Sequence, residues 1–128
     1  MIPIGAKGMA QKTVTPQLTA KEVGSGDLSV LATPVMAALM EEAAAFSLTP
    51  YLKDGATSVG VSLSIRHLAA TPVGGTVRAE STVTLSQGRS VTFAVQAFDD
   101  AGLIGEGTHE RVIVDAGRFF EKAASRVK

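Results

Sequence analysis

The sequence predicts an α+β fold in which an antiparallel sheet of about five strands wraps around one central apolar helix, assembled as a dimer. Residues 30–48, VLATPVMAALMEEAAAFSL, are almost wholly apolar and long enough for a helix, and four later runs have the pattern of strands. A helix that is apolar nearly all round is a buried one. Because one sheet cannot cover every side of it, a second copy is expected to complete the cover with two-fold symmetry.

Length and composition fit a single globular domain. The 128 residues are enough to bury a core, and 45% of them are apolar and 19% charged. Twelve basic residues balance twelve acidic ones, so the formal net charge is zero and gives no indication that the chain binds nucleic acid or an anionic membrane. The chain has no cysteine, which excludes disulfides and thiolate metal sites.

The pattern also predicts a cytoplasmic protein with one domain. The first residues lack the apolar region of a secretory signal, and no apolar run approaches the roughly 20 residues that span a bilayer. Residues 1–12 are weakly patterned and are expected to form a flexible terminus. Residues 13–128 are expected to form the domain.

The first half of the domain is expected to contain an edge strand, a loop and the helix. Residues 12–20, KTVTPQLTA, place β-formers around a proline, which suits an edge strand. Residues 21–29, KEVGSGDLS, have the composition of a loop. Pro34 fits the first turn of a helix with Thr33 as its N-cap, and good helix formers follow over residues 35–47.

The second half is expected to form four antiparallel strands in a meander. The strand sequences are TSVGVSLSIRHL, GGTVRAESTVTL, SVTFAVQAFD and LIGEGTHERVIVD. The connections SQGR and DDAG are short enough for hairpins. The tail, residues 116–128, can form a short amphipathic helix.

Two adjacent carboxylates, Glu41 and Glu42, lie in the middle of the apolar helix. Successive helical residues point about 100° apart, so the two do not easily share one outward direction. Burying an ionised carboxylate without a partner is costly, so a buried one should have a partner or a task. The alternative is that both lie on an exposed stripe.

His67 and Thr33 are further candidates. His67 continues an apolar alternation and is expected at the rim of the core, either as a satisfied histidine or as an imidazole oriented by a helix carboxylate. Thr33 either only caps the helix or helps its first-turn N–H groups to hold an oxyanion or a thioester carbonyl. About 12 Å of helix separates Thr33 from Glu41, so a site that uses both must stretch along the helix or take groups from a second chain. A shared site at a dimer interface is therefore expected.

Other chemistries lack their motifs. The sequence contains no G-x-S-x-G, no phosphate-binding glycine loop and no H-E-x-x-H. His109, the other histidine, has polar neighbours and is expected at the surface or at a sheet edge. No metal site is predicted.

Three stretches carry a resemblance to a known family. LATPVMAALMEEAA, VSLSIRHLAATPVGG and IGEGTHERVIV resemble the hotdog-fold thioesterases related to fluoroacetyl-CoA thioesterase, and the resemblance covers residues 13–122. It implies a hotdog fold in which the sheets of two protomers join, and hydrolysis of an acyl-CoA thioester at the dimer interface. It implies no cofactor, because coenzyme A is part of the substrate.

The resemblance also implies the site residues, namely Thr33, Glu41, His67, Gly60 and Arg111. His67 would activate water or assist Thr33, and Glu41 would orient the imidazole or act as base or nucleophile. Thr33 and nearby N–H groups would polarise the thioester. Gly60 would approach the acyl group, and Arg111 would support the site.

Two features depart from the family's pattern. The loop before Thr33 contains no aromatic residue, so a gate built from bulky rings is not expected. Strand alternation places Gly60 on the face opposite His67 unless a bulge intervenes. Glu42 has no counterpart in the family and is expected to be exposed.

Three functions are compatible with this pattern. The leading hypothesis is an acyl-CoA thioesterase for a short or modest acyl chain, acting as a homodimer or a higher oligomer. The alternative is a non-catalytic hotdog protein that binds acyl-CoA or another small apolar ligand. A hotdog dehydratase is the third, but its His-and-Asp signature is not found.

Overall fold

The computed structural model describes residues 2–127 as five strands, three α-helices and two short 3₁₀ turns. The strands are β1 (Lys7–Thr13), β2 (Ala56–His67), β3 (Thr76–Gln87), β4 (Ser90–Asp99) and β5 (Gly102–Asp115). The helices are α1 (Ala20–Val23), α2 (Thr33–Leu48) and α3 (Ala116–Ala124). The 3₁₀ turns are Pro16–Leu18 and Thr49–Tyr51. One sheet and one long helix therefore dominate, as the sequence pattern predicts.

The strands form one antiparallel sheet in the order β1-β3-β4-β5-β2. The two predicted hairpins are present, since Gln87 pairs with Ser90 and Asp99 pairs with Gly102. The predicted meander is wrong at β2, which pairs with β5 instead of β3. Residues 68–75 form a long connection instead of a tight turn, so β2 is free to cross to the far edge of the sheet.

The N-terminal segment is more ordered than its composition suggests. Residues 7–12, expected in a flexible terminus, form most of β1 and pair with β3. The expected strand over residues 12–20 is correspondingly wrong beyond Thr13. Gly8 allows this packing, because a Cβ there would overlap the carbonyl oxygen of Ala43 on α2.

The helix α2 packs against the sheet with one face and leaves another exposed. The core residues it contributes are Met36, Leu39, Met40, Ala43, Ala44 and Leu48. Opposite them, Ala38, Glu42 and Phe46 are exposed, and Phe46 retains 52% of its accessible surface. A single chain therefore leaves part of this apolar helix uncovered.

The two longer helices α2 and α3 begin differently. Ala32, not Thr33, occupies the N-cap of α2, and no side chain caps this helix. The tail forms the expected short helix, α3, whose N-cap Asp115 accepts a hydrogen bond from the Arg118 amide at 2.9 Å. Within residues 2–127, no helix is long and apolar enough to cross a membrane.

Candidate active site

Thr33 and His67 meet where α2 begins and β2 ends. The threonine Oγ1 lies 2.7 Å from Nδ1 of the imidazole. Nε2 of His67 is buried and has no hydrogen-bond partner among the described residues. The pair can therefore exchange a proton between hydroxyl and ring while Nε2 stays available to a second group.

Burial favours the neutral ring of His67. It lowers the pKa of His67 from its ordinary value of 6.5, and the backbone of Ala69 opposes this shift only in part. A neutral imidazole can accept a proton at about pH 7, as a general base must.

An open pocket of about 270 Å³ lies beside this pair. The loop before α2 contributes Ser25 and Val30 to its lining, and the segment after β2 contributes Leu68 and Ala70. A larger depression of about 480 Å³ runs along β1 and β3, but neither histidine lines it. The smaller pocket is therefore the better candidate for chemistry.

A second group of side chains lies further along α2, around Gly60. A Cβ on Gly60 would lie 2.7 Å from Oε2 of Glu41 and 3.6 Å from Nη1 of Arg111, so the glycine leaves room for both. The β2–β5 register shifts between Gly60 and Ser62. Because of this bulge, Gly60 and His67 face the same side of the sheet, contrary to simple alternation.

The two carboxylates of α2 have different surroundings. Glu41 is half-buried, whereas Glu42 is exposed, so an exposed stripe that contains both is wrong for Glu41. Glu41 forms no ion pair within residues 2–127. Burial lowers the pKa values of Arg111 and His109, and the negative charge of Glu41 partly opposes this shift.

The guanidinium of Arg111 is held from three directions. Nε donates to Oγ of Ser58 at 2.8 Å, and Nη2 donates to the Ser58 carbonyl oxygen at 3.0 Å. Nη1 lies 3.3 Å from Nε2 of His109. Burial lowers the pKa of Arg111, but guanidinium keeps its charge at neutral pH in proteins. Arg111 therefore places a fixed positive charge near Glu41.

The expected surface position of His109 is wrong. Its side chain is 0% exposed, and its ring stacks on Phe93 with 5.9 Å between centroids. The alternation within GEGTHER, residues 105–111, could have predicted this burial. Its odd-numbered residues share one face of the strand: Gly105, Gly107, His109 and Arg111. The polar neighbours Thr108 and Glu110 lie on the other face.

The two groups occupy different places along one chain. Thr33 and Glu41 are separated by about 12 Å of helix. On β5, His67 pairs with Gly105 and Gly60 pairs with Arg111. These two pairing positions are six residues apart, or about 20 Å along the strand. The structure thus joins Thr33 to His67 and gathers Glu41, Gly60 and Arg111, but no hydrogen bond between described residues links Glu41 to His67.

No group of three or more His, Asp or Glu side chains in the described part of the chain is arranged to hold a metal ion. The chemistry available at both places is that of a hydroxyl, an imidazole, a carboxylate and a guanidinium. These groups suit proton transfer and charge stabilisation at a carbonyl.

Comparisons with known proteins show which family the chain belongs to. The family model of the fluoroacetyl-CoA-specific thioesterase matches residues 14–117. The fluoroacetyl-CoA thioesterase of Streptantibioticus cattleyicolor is 37% identical over 97 residues, which are 76% of this chain and 70% of that protein.

Solved structures extend the similarity to the whole fold. The fluoroacetyl-CoA thioesterase FlK superposes with a TM-score of 0.92 and 30% identity, covering 100% of this chain and 99% of the other. Variants of that enzyme have been solved with acetyl-CoA, and with fluoroacetate and CoA. A thioesterase superfamily member from Thermus thermophilus superposes with a TM-score of 0.89 and 30% identity, covering 98% and 96% of the two chains.

Family model, sequence identity and structural similarity lead to the same assignment, and the hotdog fold expected from the resemblance is confirmed. The chain belongs to the fluoroacetyl-CoA-specific thioesterase family and is a thioester hydrolase with the hotdog fold.

Proposed function

We propose that the chain hydrolyses acyl-CoA thioesters with a short or modest acyl group, at a site shared by two copies of the chain. The single observation that carries this proposal is the 2.7 Å contact between Oγ1 of Thr33 and Nδ1 of His67 at the wall of an open pocket. A hydroxyl and a neutral imidazole in contact are the groups that acyl transfer needs.

The dimer is inferred from uncovered surface. β2 is a 12-residue strand at the edge of the sheet, and Val61 on it is 53% exposed. Long, flat edge strands pair with another chain unless something blocks them. The exposed stripe of α2 around Phe46 is a second apolar surface that a partner can cover.

Antiparallel pairing of two β2 strands would complete the site. In such a pair, the beginning of one strand lies beside the end of its twin. The Gly60 end of β2 in one protomer then approaches the His67 end in the other. Glu41 of the partner subunit would thereby come near the unpartnered Nε2 of His67, which a single chain leaves without a hydrogen bond.

In this arrangement, water supplies the elements of hydrolysis. When water or the Thr33 hydroxyl attacks, it adds to the acyl carbon and gives its proton to the neutral imidazole; the carbon–sulfur bond then breaks, and the leaving sulfur takes that proton. When Thr33 or Glu41 attacks, water afterwards cleaves the acyl–enzyme bond, which releases the carboxylic acid and restores the enzyme. Thr33 polarises the thioester or attacks it, His67 moves the proton, and Glu41 orients the ring or acts as base or nucleophile. Gly60 leaves space for the acyl group, and Arg111 supplies positive charge.

Coenzyme A enters as part of the substrate, so the proposed reaction uses no other cofactor. A cytoplasmic location and any assembly larger than the dimer stay predictions.

The test is release of free thiol from a panel of acyl-CoAs, from acetyl-CoA and fluoroacetyl-CoA to long-chain esters. His67→Ala and Glu41→Ala should each lower turnover by about 100-fold or more. Glu121→Ala is the control, because Glu121 is an exposed carboxylate on α3, outside the pocket and outside the group around Gly60. Turnover that survives in His67→Ala would contradict the proposed chemistry. No release by the wild type from any ester would favour the non-catalytic binding alternative, which calorimetry with CoA would then measure.

A further inference from the structure

His109 is a buried polar side chain whose two ring nitrogens are both engaged. Nδ1 lies 2.8 Å from the carbonyl oxygen of Ser62, beside the β2 bulge. Nε2 lies 3.3 Å from Nη1 of Arg111. Phe93 covers a ring face, with an interplanar angle of 28°. A core position that needed only bulk would not use both nitrogens in this way.

The two partners dictate one protonation state of the ring. A carbonyl oxygen only accepts hydrogen bonds, so Nδ1 must carry a proton. A guanidinium only donates, so Nε2 of His109 must be unprotonated. A second proton on the ring would set two N–H groups against each other beside a positive charge.

The charged groups around His109 agree with this assignment. Burial lowers the pKa of His109, and the charge of Arg111 lowers it further. The Ser62 carbonyl and the Glu41 carboxylate oppose these effects only in part. Glu41 comes from α2 and Arg111 from β5, whereas the contacts from β2 and β4 are the uncharged Ser62 and Phe93. The ring is therefore neutral at about pH 7.

The same contact limits how Arg111 can turn. Its five N–H groups are set in a rigid plane, and the hydrogen bonds to Ser58 and His109 engage three of them. Nη1 also lies 3.6 Å from the place that a Cβ on Gly60 would occupy. The contact with His109 adds a third hydrogen bond to the two from Ser58 and is the one made by Nη1, so it helps to hold the remaining N–H of Nη1 close to the space beside Glu41.

We propose that His109 is a positioning residue, a neutral imidazole protonated at Nδ1 that fixes the guanidinium of Arg111 beside Gly60 and Glu41. The effect of this contact on turnover rests on the proposed function. The orientation of the guanidinium does not, so the two can be tested separately.

Nitrogen-15 NMR of the full chain tests the orientation. The His109 ring should show a protonated Nδ1 and an unprotonated Nε2 from about pH 6 to pH 8. The Nη hydrogens of Arg111 should give separate, slowly exchanging signals that His109→Asn collapses and His109→Gln preserves. The reason is that the glutamine oxygen can replace Nε2, whereas asparagine can replace only the Nδ1 donor. A proton on Nε2, or identical Arg111 signals in both variants, would overturn the proposal.

Kinetics with acetyl-CoA and fluoroacetyl-CoA test the consequence. His109→Asn should lower kcat/KM by about 10- to 100-fold, and His109→Gln should retain it within about threefold, because only glutamine keeps the bond to Arg111. Thermal unfolding checks that both variants fold. Equal losses of activity in two folded variants would overturn the proposal. If the wild type hydrolyses neither ester nor any other acyl-CoA, the proposed function fails, and the NMR result alone decides the role of His109.

Discussion

Replacing Gly60 with alanine tests whether the carboxylate of Glu41 must lie over β2. The added Cβ would lie 2.7 Å from Oε2 of Glu41, so the carboxylate must retreat by about 0.7 Å to reach an ordinary contact of 3.4 Å. Its other near neighbours, Cε1 of His109 at 3.3 Å and Nη1 of Arg111 at 3.6 Å, need to move little. The substitution therefore acts mainly on Glu41.

The expected cost falls on activity and not on stability. Oε2 ends a flexible side chain and can retreat cheaply, and alanine also restricts the unfolded chain, which stabilises by about 0.4–1 kcal/mol. The free energy of unfolding should stay within about 1 kcal/mol of the wild type. Since a misplacement of about 1 Å near the reacting atoms can lower turnover by about 100-fold, and Glu41 belongs to the proposed site, we expect Gly60→Ala to lose about 10- to 100-fold in kcat/KM.

Chemical denaturation and thiol release measure the two quantities. Gly117→Ala is the matched control, since Gly117 is exposed in α3 and an added Cβ would meet nothing closer than 3.6 Å. Because Gly117 lies in the first turn of α3, this control should change the free energy of unfolding by less than about 1 kcal/mol and keep full turnover. Full turnover in Gly60→Ala would refute the claim that the position of the Glu41 carboxylate limits activity. A large loss of stability would refute the claim that this carboxylate is free to move.

Three other side chains give measurable predictions. Thr33→Val should lower kcat by about 10- to 100-fold with little change in Tm, because the Thr33 hydroxyl contacts His67 and does not cap α2. Thr33→Ser should keep most activity, and equal losses of kcat in the two variants would contradict this role of the hydroxyl. Burial lowers the pKa of His67 from 6.5, so the stability that the neutral ring contributes should be complete above pH 6.5 and lost as the pH falls toward the folded-state pKa. The value of kcat/KM should also fall as the pH falls, and an NMR titration that gives His67 a pKa above 6.5 would rule this out. In the proposed dimer, Val61→Lys would place two positive charges near the two-fold axis, and it should weaken association by about tenfold or more. Light scattering over a range of concentrations measures this, and a dimer of unchanged strength would exclude β2 as the contact.

Much of the architecture follows from local pattern. The apolar run with Pro34 in its first turn became α2, because helix propensity and a missing N–H at the first turn act within a few residues. The two hairpin turns are equally local, and Gly88 in one of them has the positive φ of 58° that favours glycine. The pairing of β2 was not local, because residues 68–75 allow the strand to reach either edge.

The residues of the candidate site could be predicted from the sequence, but most of their contacts could not. Motifs identified Thr33, Glu41, His67, Gly60 and Arg111 as residues of interest, and α2 alone sets the spacing of Thr33 and Glu41. The register of β2 on β5, with its bulge after Gly60, decides which of them meet. One extra residue at a bulge moves all the following side chains of the strand to the opposite face of the sheet. Local sequence preferences do not predict where this bulge lies.

The sequence by itself therefore determined the class of fold, the helix, the hairpin turns and the family, since these depend on residue pattern and short-range sterics. Only the tertiary structure decided that β2 lies beside β5, that His109 is buried against Arg111, and that Thr33 contacts His67 instead of capping its helix. The physical reason is that hydrogen bonds between distant segments form only after burial has removed water as the competing partner.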